Sequence, residues 1–198
     1  MTHTRRSFLG AVATMGAMSA FPGKLLAAAP SSTALFARAR AELDRLGSHI
    51  PQRDVVAIAD FNRASATPRF HLLDMVSGRH TSLLVSHGRG SDPEHSGWLQ
   101  RFSNVNGSAA TSAGAYRTID YYVGSHGRSI RLDGLDPTNN HAEARAIVVH
   151  GASYVSREMA RTAGKIGRSE GCFAFAQADL PQVLDRLGPG RLILADRL

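Results

Sequence analysis

The chain has 198 residues, a single cysteine and a formal net charge of +7. This length fits one domain after a leader segment, and the single cysteine excludes both an internal disulfide and a cysteine-rich zinc site. The basic residues form no dense cluster interleaved with aromatic side chains, so we predict no binding of nucleic acid.

The first 29 residues have the layout of a bacterial export signal. Arg5 and Arg6 precede an apolar segment of small residues, which ends in the alanines at 27–29. A charged start, an apolar centre and a small-residue end are typical of a signal peptide, and paired arginines favour the twin-arginine route. The apolar segment is too short to span a bilayer. We therefore predict a signal peptide over 1–29, export to the periplasm, no integral membrane segment after signal removal, and a catalytic domain over 30–198.

The pattern after the signal peptide predicts one helix followed by several strands. Apolar residues recur at helical spacing, Ser31 or Ser32 can cap the start of the helix, and Gly47 can end it. Short runs rich in β-branched residues follow, and two of them flank a hairpin turn at 77–78. In chain order, these predicted elements are a helix over 33–46 and strands over 55–59, 70–76 and 81–85.

Two glycine-bearing loops interrupt the rest of the chain. Residues 87–114 are rich in Gly, Ser and Asn, and long loops in compact domains often have a function. Residues 164–171 form the second loop, which ends directly before Cys172. The remaining predicted elements are strands over 116–123, 129–132, 146–149 and 192–194, and helices over 153–161 and 180–187, the last capped by Asp179. The whole pattern predicts a mainly β fold with a few helices (α+β), in which one curved sheet surrounds the core.

Cys172 and His150 are the candidate catalytic residues. A thiol attacks a carbonyl as its thiolate, and imidazole is the usual base because its pKa lies near neutrality. Gly171 permits a sharp turn, after which the N–H groups of Gly171 and Cys172 can point at an oxyanion. The carbonyl of Gly151 can hold the imidazole in one tautomer.

Other residues give weaker signals that leave alternatives open. His87 also follows an apolar run and precedes a glycine, so the residue pattern alone does not choose between His87 and His150 as the base. His87 is a candidate for lining a substrate cleft or a loop histidine without a catalytic part. Tyr116 is a candidate for the wall of a substrate groove or a core residue. The histidines lack the short spacing of metal ligands, so we predict no metal site.

The segments that hold these residues resemble one protein family. Residues 148–152 and 167–172 are similar to the signature of the murein L,D-transpeptidase catalytic domain, the YkuD-type fold. Further similarity runs, in the expected order, from about residue 50 to the C-terminus. The upstream segments that resemble one subgroup of this family are 87–91, 102–108, 112–118, 132–136 and 145–147, with Asn140.

The resemblance implies a cysteine-dependent L,D-transpeptidase that acts on peptidoglycan stem peptides without a cofactor. Cys172 would take the acyl group at the diaminopimelate carbonyl, release the terminal D-alanine and pass the acyl group to an amine. His150 would be the base, oriented by Gly151, and the oxyanion would be bound by the N–H groups of Gly171 and Cys172. Ser169 would shape the nucleophile loop.

Two positions depart from the commonest pattern of the family. Glu170 stands where many members have His, and Ala174 stands where many have Arg. An ionised carboxylate near the thiol opposes thiolate formation. Arg168 could offset that charge or bind a substrate carboxylate, or it could form a solvated ion pair with Glu170. 

Two other functions stay open at the level of sequence. With water as acceptor the enzyme would be an L,D-carboxypeptidase or endopeptidase. Without catalysis the protein would be a murein-binding protein. The sequence does not indicate whether the protein is a monomer or an oligomer.

Overall fold

The computed structural model describes residues 30–198, and the predicted signal peptide lies outside this range. Three helices and eight strands follow one another in the described part of the chain. The helices are α1 Ser32–Leu46, α2 Arg157–Ala163 and α3 Leu180–Arg186, with short 3-10 turns at Gly47–His49 and Arg89–Ser91. The strands are β1 Val55–Asp60, β2 Phe70–Asp74, β3 His80–Leu83, β4 Gly114–Gly124, β5 Gly127–Gly134, β6 Val148–Gly151, β7 Phe173–Phe175 and β8 Leu192–Asp196.

All eight strands belong to one sheet, in the order β3-β2-β1-β8-β4-β5-β6-β7. The C-terminal strand β8 lies in the middle, where it pairs parallel to β1 and antiparallel to β4. The strands β6 and β7 also pair in parallel. The predicted hairpin at 77–78 joins β2 and β3, which pair antiparallel as expected.

The sheet curves until its two ends nearly meet. The Ser86 N–H, just after β3, donates to the carbonyl of Ala174 in β7 at 3.0 Å. The rings of Phe70 and Phe175 contact each other edge to face with their centroids 4.7 Å apart. The prediction of a mainly β fold with one curved sheet is therefore confirmed.

Alternate residues of β1 enter two separate cores, as the two-residue period of a strand requires. Ala57 and Ala59 pack inside the curve of the sheet, whereas Val56 and Ile58 pack against α1 on its outer face. The predicted first helix is confirmed as α1, and the side chain of Ser31 caps it by accepting the Ala34 N–H at 3.2 Å.

One predicted helix begins at a different residue, and another lacks its predicted cap. The helix α2 begins at Arg157 instead of 153, because the Ser156 side chain accepts the Met159 N–H at 3.0 Å and caps the helix there. Asp179 precedes α3 as predicted, but its backbone is already helical and its side chain makes no capping bond. No helix within 30–198 is long and apolar enough to cross a membrane.

Candidate active site

The parallel pair β6–β7 positions the two predicted catalytic residues. His150 lies opposite Ala174 in the register, and Cys172 directly precedes β7. Both side chains line one open cavity of about 770 Å³. The alternative base, His87, does not line this cavity.

The hydrogen bonding of His150 leaves one ring nitrogen available as a base. The Nδ1 of this buried residue lies 3.0 Å from the Gly151 carbonyl oxygen, which can only accept. Nδ1 therefore carries the proton, and Nε2 keeps its lone pair in the neutral ring. Burial lowers the pKa of His150, the Gly151 contact opposes this shift, and the charge of His126 adds to it. The imidazole is thus neutral, as a general base must be, at neutral pH.

The Cys172 thiol is protonated in the resting protein. Burial raises the pKa of this thiol; the Val148 N–H and the Arg145 charge lower it, and the Glu170 charge raises it. Its Sγ lies 3.5 Å from the carbonyl oxygen of Ala146, which accepts the S–H. The cavity therefore holds both a neutral thiol and a neutral imidazole, so the proton must move when the thiol attacks.

Ser169 shapes the turn before the thiol. Its hydroxyl donates to the Cys172 carbonyl at 2.7 Å and accepts the Gly171 N–H at 3.2 Å. Gly171 has a φ of +121°, and a Cβ at this position would lie 2.7 Å from Ile147 Cδ1 and 2.8 Å from the Ala110 carbonyl oxygen. Only glycine fits this turn without displacing its neighbours. The Gly171 N–H, which we expected at the oxyanion, is engaged by Ser169.

Arg145 is a cavity residue to which the sequence analysis gave no role. Its guanidinium donates to the Ser103 carbonyl at 2.9 Å and to the hydroxyls of Ser112 at 2.6 Å and Ser108 at 3.2 Å. These bonds hold a positive charge close enough to lower the pKa of Cys172. The sequence near Arg145 did not indicate this role, because its partners are more than thirty residues away in the chain.

His126 is a second residue that the sequence analysis did not assign to the site. It lies in the turn between β4 and β5, and its ring stacks on that of His150 with centroids 4.2 Å apart and an interplanar angle of 23°. His126 also lines the cavity. The hairpin tip therefore covers one face of the candidate base.

The arginine and glutamate beside the thiol do not pair with each other. Arg168 lines the cavity, and its Nη1 donates to the backbone carbonyls of Asp92 and Pro93, the latter at 3.0 Å. Glu170 instead forms an exposed ion pair with Arg89 at 3.0 Å. The proposed Arg168–Glu170 pair is thus replaced by two separate contacts.

His87 and Tyr116 do not line a substrate cleft, which corrects two candidate sites. His87 is 1% exposed, and its Nδ1 lies 2.8 Å from Arg69 Nη2, which can only donate. Its Nε2–H therefore faces Asp92 Oδ2, at 3.3 Å. Tyr116 is 0% exposed and donates its hydroxyl to the Ser112 carbonyl at 2.8 Å. Both side chains are satisfied inside the fold, where no substrate reaches them.

His95 and His141 do not come together at a shared metal site. His95 contacts the Ile166 carbonyl at 3.0 Å, and His141 contacts the Asn104 carbonyl at 3.1 Å. Within residues 30–198, no group of three or more His, Cys, Asp or Glu side chains is placed to hold a metal ion.

Comparisons with known proteins give one family match and several similar structures. A family model described as L,D-transpeptidase catalytic domain (YkuD_2) matches residues 28–195. An L,D-transpeptidase from Mycobacterium smegmatis is 13% identical, with a TM-score of 0.44, over 72% of this chain and 58% of that one. One from Mycobacterium tuberculosis H37Rv is 15% identical, with a TM-score of 0.45, over 73% and 58%. A mutant of the Enterococcus faecium L,D-transpeptidase is 9% identical, with a TM-score of 0.44, over 72% and 50%.

The chain thus covers less than two thirds of the length of these three solved structures. The comparison with curated proteins gives no match. The family model, in contrast, covers most of this chain, including both Cys172 and His150. The chain therefore belongs to the L,D-transpeptidase catalytic domain family.

Proposed function

We propose that this protein is a peptidoglycan L,D-transpeptidase with Cys172 as nucleophile and His150 as general base. The observation that carries the proposal is the shared cavity, in which a thiol and a neutral imidazole with one free nitrogen face the same space. Family membership supports the reaction class. The cavity volume of about 770 Å³ suits an extended peptide segment.

The first half-reaction would form a thioester. His150 Nε2 takes the thiol proton as Sγ attacks the diaminopimelate carbonyl of a stem tetrapeptide, and the carbonyl oxygen becomes an oxyanion. The intermediate then collapses, the bond to the terminal D-alanine breaks, and the leaving amine receives the proton from His150. The Cys172 N–H is the proposed oxyanion donor, and the Gly171 N–H can join it only by leaving the Ser169 hydroxyl.

The second half-reaction would return the enzyme to its starting state. An amine from a neighbouring stem attacks the thioester and gives a proton to His150. The C–S bond breaks, the new amide is released, and the proton returns to Cys172. Water in place of the amine would give an L,D-carboxypeptidase or endopeptidase by the same steps.

The substrate class sets where the protein would act. Peptidoglycan lies outside the cytoplasmic membrane, and the arginine pair in the first 29 residues is the basis for twin-arginine export to the periplasm. No cofactor or metal takes part in the steps above. The proposed partners are stem peptides, with no nucleic acid.

The test is incubation of the purified domain over 30–198 with disaccharide-tetrapeptide, followed by mass spectrometry of products and protein. We expect cross-linked dimer and an acyl adduct on Cys172. The Cys172→Ala variant should give neither, and the His150→Gln variant should form the adduct at least about 100-fold more slowly, because a positioned base contributes that much.

Each product pattern has a distinct meaning. Trimmed tripeptide without dimer would identify water as the acceptor and make the protein a carboxypeptidase. Peptide binding without any adduct on reduced protein would contradict catalysis and indicate a murein-binding protein. Unchanged turnover in the Cys172→Ala variant would exclude the proposed nucleophile.

A further inference from the structure

A recess rich in arginine opens beside the catalytic cavity. It has a volume of about 400 Å³, and three arginines line it: Arg89, Arg101 and Arg168. Its other lining residues include no acidic side chain. The recess and the cavity share Arg89, Gly107, Ala109 and Arg168 as lining residues, so the two spaces adjoin each other.

Two of the three guanidinium groups, those of Arg101 and Arg168, are held in place by the protein. Arg101 Nε donates to the Gly90 carbonyl at 3.0 Å, and Arg168 Nη1 donates to the carbonyls of Asp92 and Pro93. Each bond uses one nitrogen of the planar fork and leaves other N–H groups for a ligand. Binding an anion here therefore costs little additional side-chain entropy.

The positive charge of the recess is largely uncompensated. Glu170 pairs with Arg89 at 3.0 Å and is itself exposed at the rim. Within residues 30–198, neither Arg101 nor Arg168 forms an ion pair with an acidic side chain. Two fixed guanidinium groups in a recess that adjoins the catalytic cavity are suited to a planar carboxylate, which arginine binds through two parallel hydrogen bonds.

We propose that this recess binds the free carboxylate of the donor's diaminopimelate side chain. The inference rests on the proposed function, since that function puts the diaminopimelate carbonyl at Cys172. Diaminopimelate has two carboxyl groups. One is in the bond to be broken, and the other ends a flexible side chain that can extend from the cavity into the recess. The recess would thus select donors in which that carboxylate is free.

The test measures binding separately from catalysis. Calorimetry with the Cys172→Ala protein would compare two stem tetrapeptides, one with the side-chain carboxylate of diaminopimelate free and one with it amidated. We expect the free acid to bind about tenfold more tightly, the effect of one charge-assisted hydrogen bond. Adding Arg101→Gln, which changes a residue that lines the recess and not the catalytic cavity, should abolish this preference while leaving affinity for the amidated peptide within about twofold.

The matched control is Arg40→Gln, which removes the same charge from an exposed position on α1, away from the cavity. It should keep the preference for the free acid. Equal affinity for the two peptides, or an equal loss in Arg40→Gln, would overturn the recess proposal and leave the proposed function intact. Absence of binding by both peptides would overturn the recess together with the peptidoglycan specificity.

Discussion

Two charged residues act on the Cys172 thiol in opposite directions. Arg145 lowers the pKa of the thiol, and Glu170 raises it. Arg145 is half-buried among hydroxyl and carbonyl acceptors, whereas Glu170 is exposed and pairs with Arg89. An exposed charge is screened by water, so we expect Arg145 to have the larger effect on thiolate formation.

The prediction for these residues is a pair of rate changes with opposite sign. Arg145→Gln should slow alkylation of Cys172 by iodoacetamide at neutral pH by roughly tenfold, because the thiolate loses its stabilising charge. Glu170→Gln should accelerate it by a smaller factor. The measurement is the rate of mass increase as a function of pH.

Arg145→Lys distinguishes charge from loop packing. Lysine keeps the charge but cannot form the forked contacts, so it should restore most of the alkylation rate even if the melting temperature falls. Equal slowing in the Gln and Lys variants would mean that Arg145 only supports the loop. Arg40→Gln should leave the rate unchanged, since it alters net charge far from the cavity.

At the level of elements, the hairpin β4–β5 and the parallel pair β6–β7 both contribute residues to the site. The pair β6–β7 holds His150 and Cys172, and the hairpin tip stacks His126 on the His150 ring. The sequence predicted both strands of this hairpin, over 116–123 and 129–132. It did not predict the stacking, because that contact depends on the curvature of the sheet between β5 and β6.

The hairpin prediction concerns the acid limb of the pH profile. The charge of His126 lowers the pKa of His150, so removing that charge raises it. In His126→Phe, where an aromatic ring still covers the base, the fall of kcat/KM on acidification should therefore begin at higher pH. Steady-state kinetics between pH 5 and 8 measure this shift.

His126→Ala completes the comparison. It removes both charge and ring, and we expect a lower kcat at the pH optimum as well as the shifted limb. The substitution His49→Gln, at an exposed position after α1, is the control. An acid limb that stays in place in His126→Phe would contradict electrostatic coupling between the two histidines.

At the scale of the whole domain over 30–198, the fold buries several polar groups. His71 is 5% exposed, with Nδ1 bonded to the Ser82 hydroxyl at 2.8 Å. His87 contacts the fully buried Arg69 and the buried Asp92 where the two ends of the sheet meet. Burial is the main cause that lowers the pKa of His71 to about 4 and that of His87 to about 3.

Because these two histidines are buried in the neutral form, we predict that the free energy of unfolding falls on mild acidification. The unfolded chain protonates histidine near 6.5, whereas the folded protein keeps both rings neutral until about 4 and about 3. Below pH 6.5 the unfolded state thus binds more protons. The free energy of unfolding should then fall by up to about 1.4 kcal/mol per pH unit for each histidine. Urea unfolding at pH 7.0, 6.0 and 5.5 tests this above the range in which carboxylates titrate.

The variant His71→Gln separates this effect from general acid sensitivity. Glutamine does not titrate, so the slope of stability against pH should be shallower by the contribution of one histidine. His49→Gln, which changes an exposed histidine, should keep the full slope. An identical slope in all three proteins would refute the assignment to buried histidines.

The sequence by itself determined the family and most of the elements, although it did not predict β7. Helix α1 follows from apolar spacing and a serine cap, both of which act within a few residues of the chain. The β strands follow from short β-branched runs, and the segment up to Cys172 carries the family resemblance that the family model then confirmed. The predicted cap at Asp179 was wrong, because the backbone of Asp179 is already helical and its side chain makes no capping bond. The predicted start of α2 was wrong, because Ser156 caps that helix.

Only the tertiary structure decided which residues share the site. The central position of β8, the contact of His126 with His150 and the approach of Arg145 to Cys172 all join segments distant in sequence. The same closure of the sheet buried His87 and Tyr116, which the sequence had left as candidates either for the substrate cleft or for a purely structural place. Helix capping and apolar periodicity involve residues that are close in sequence, so both can be predicted from the sequence alone. Strand order and burial depend on how the whole sheet satisfies its hydrogen bonds and covers its core.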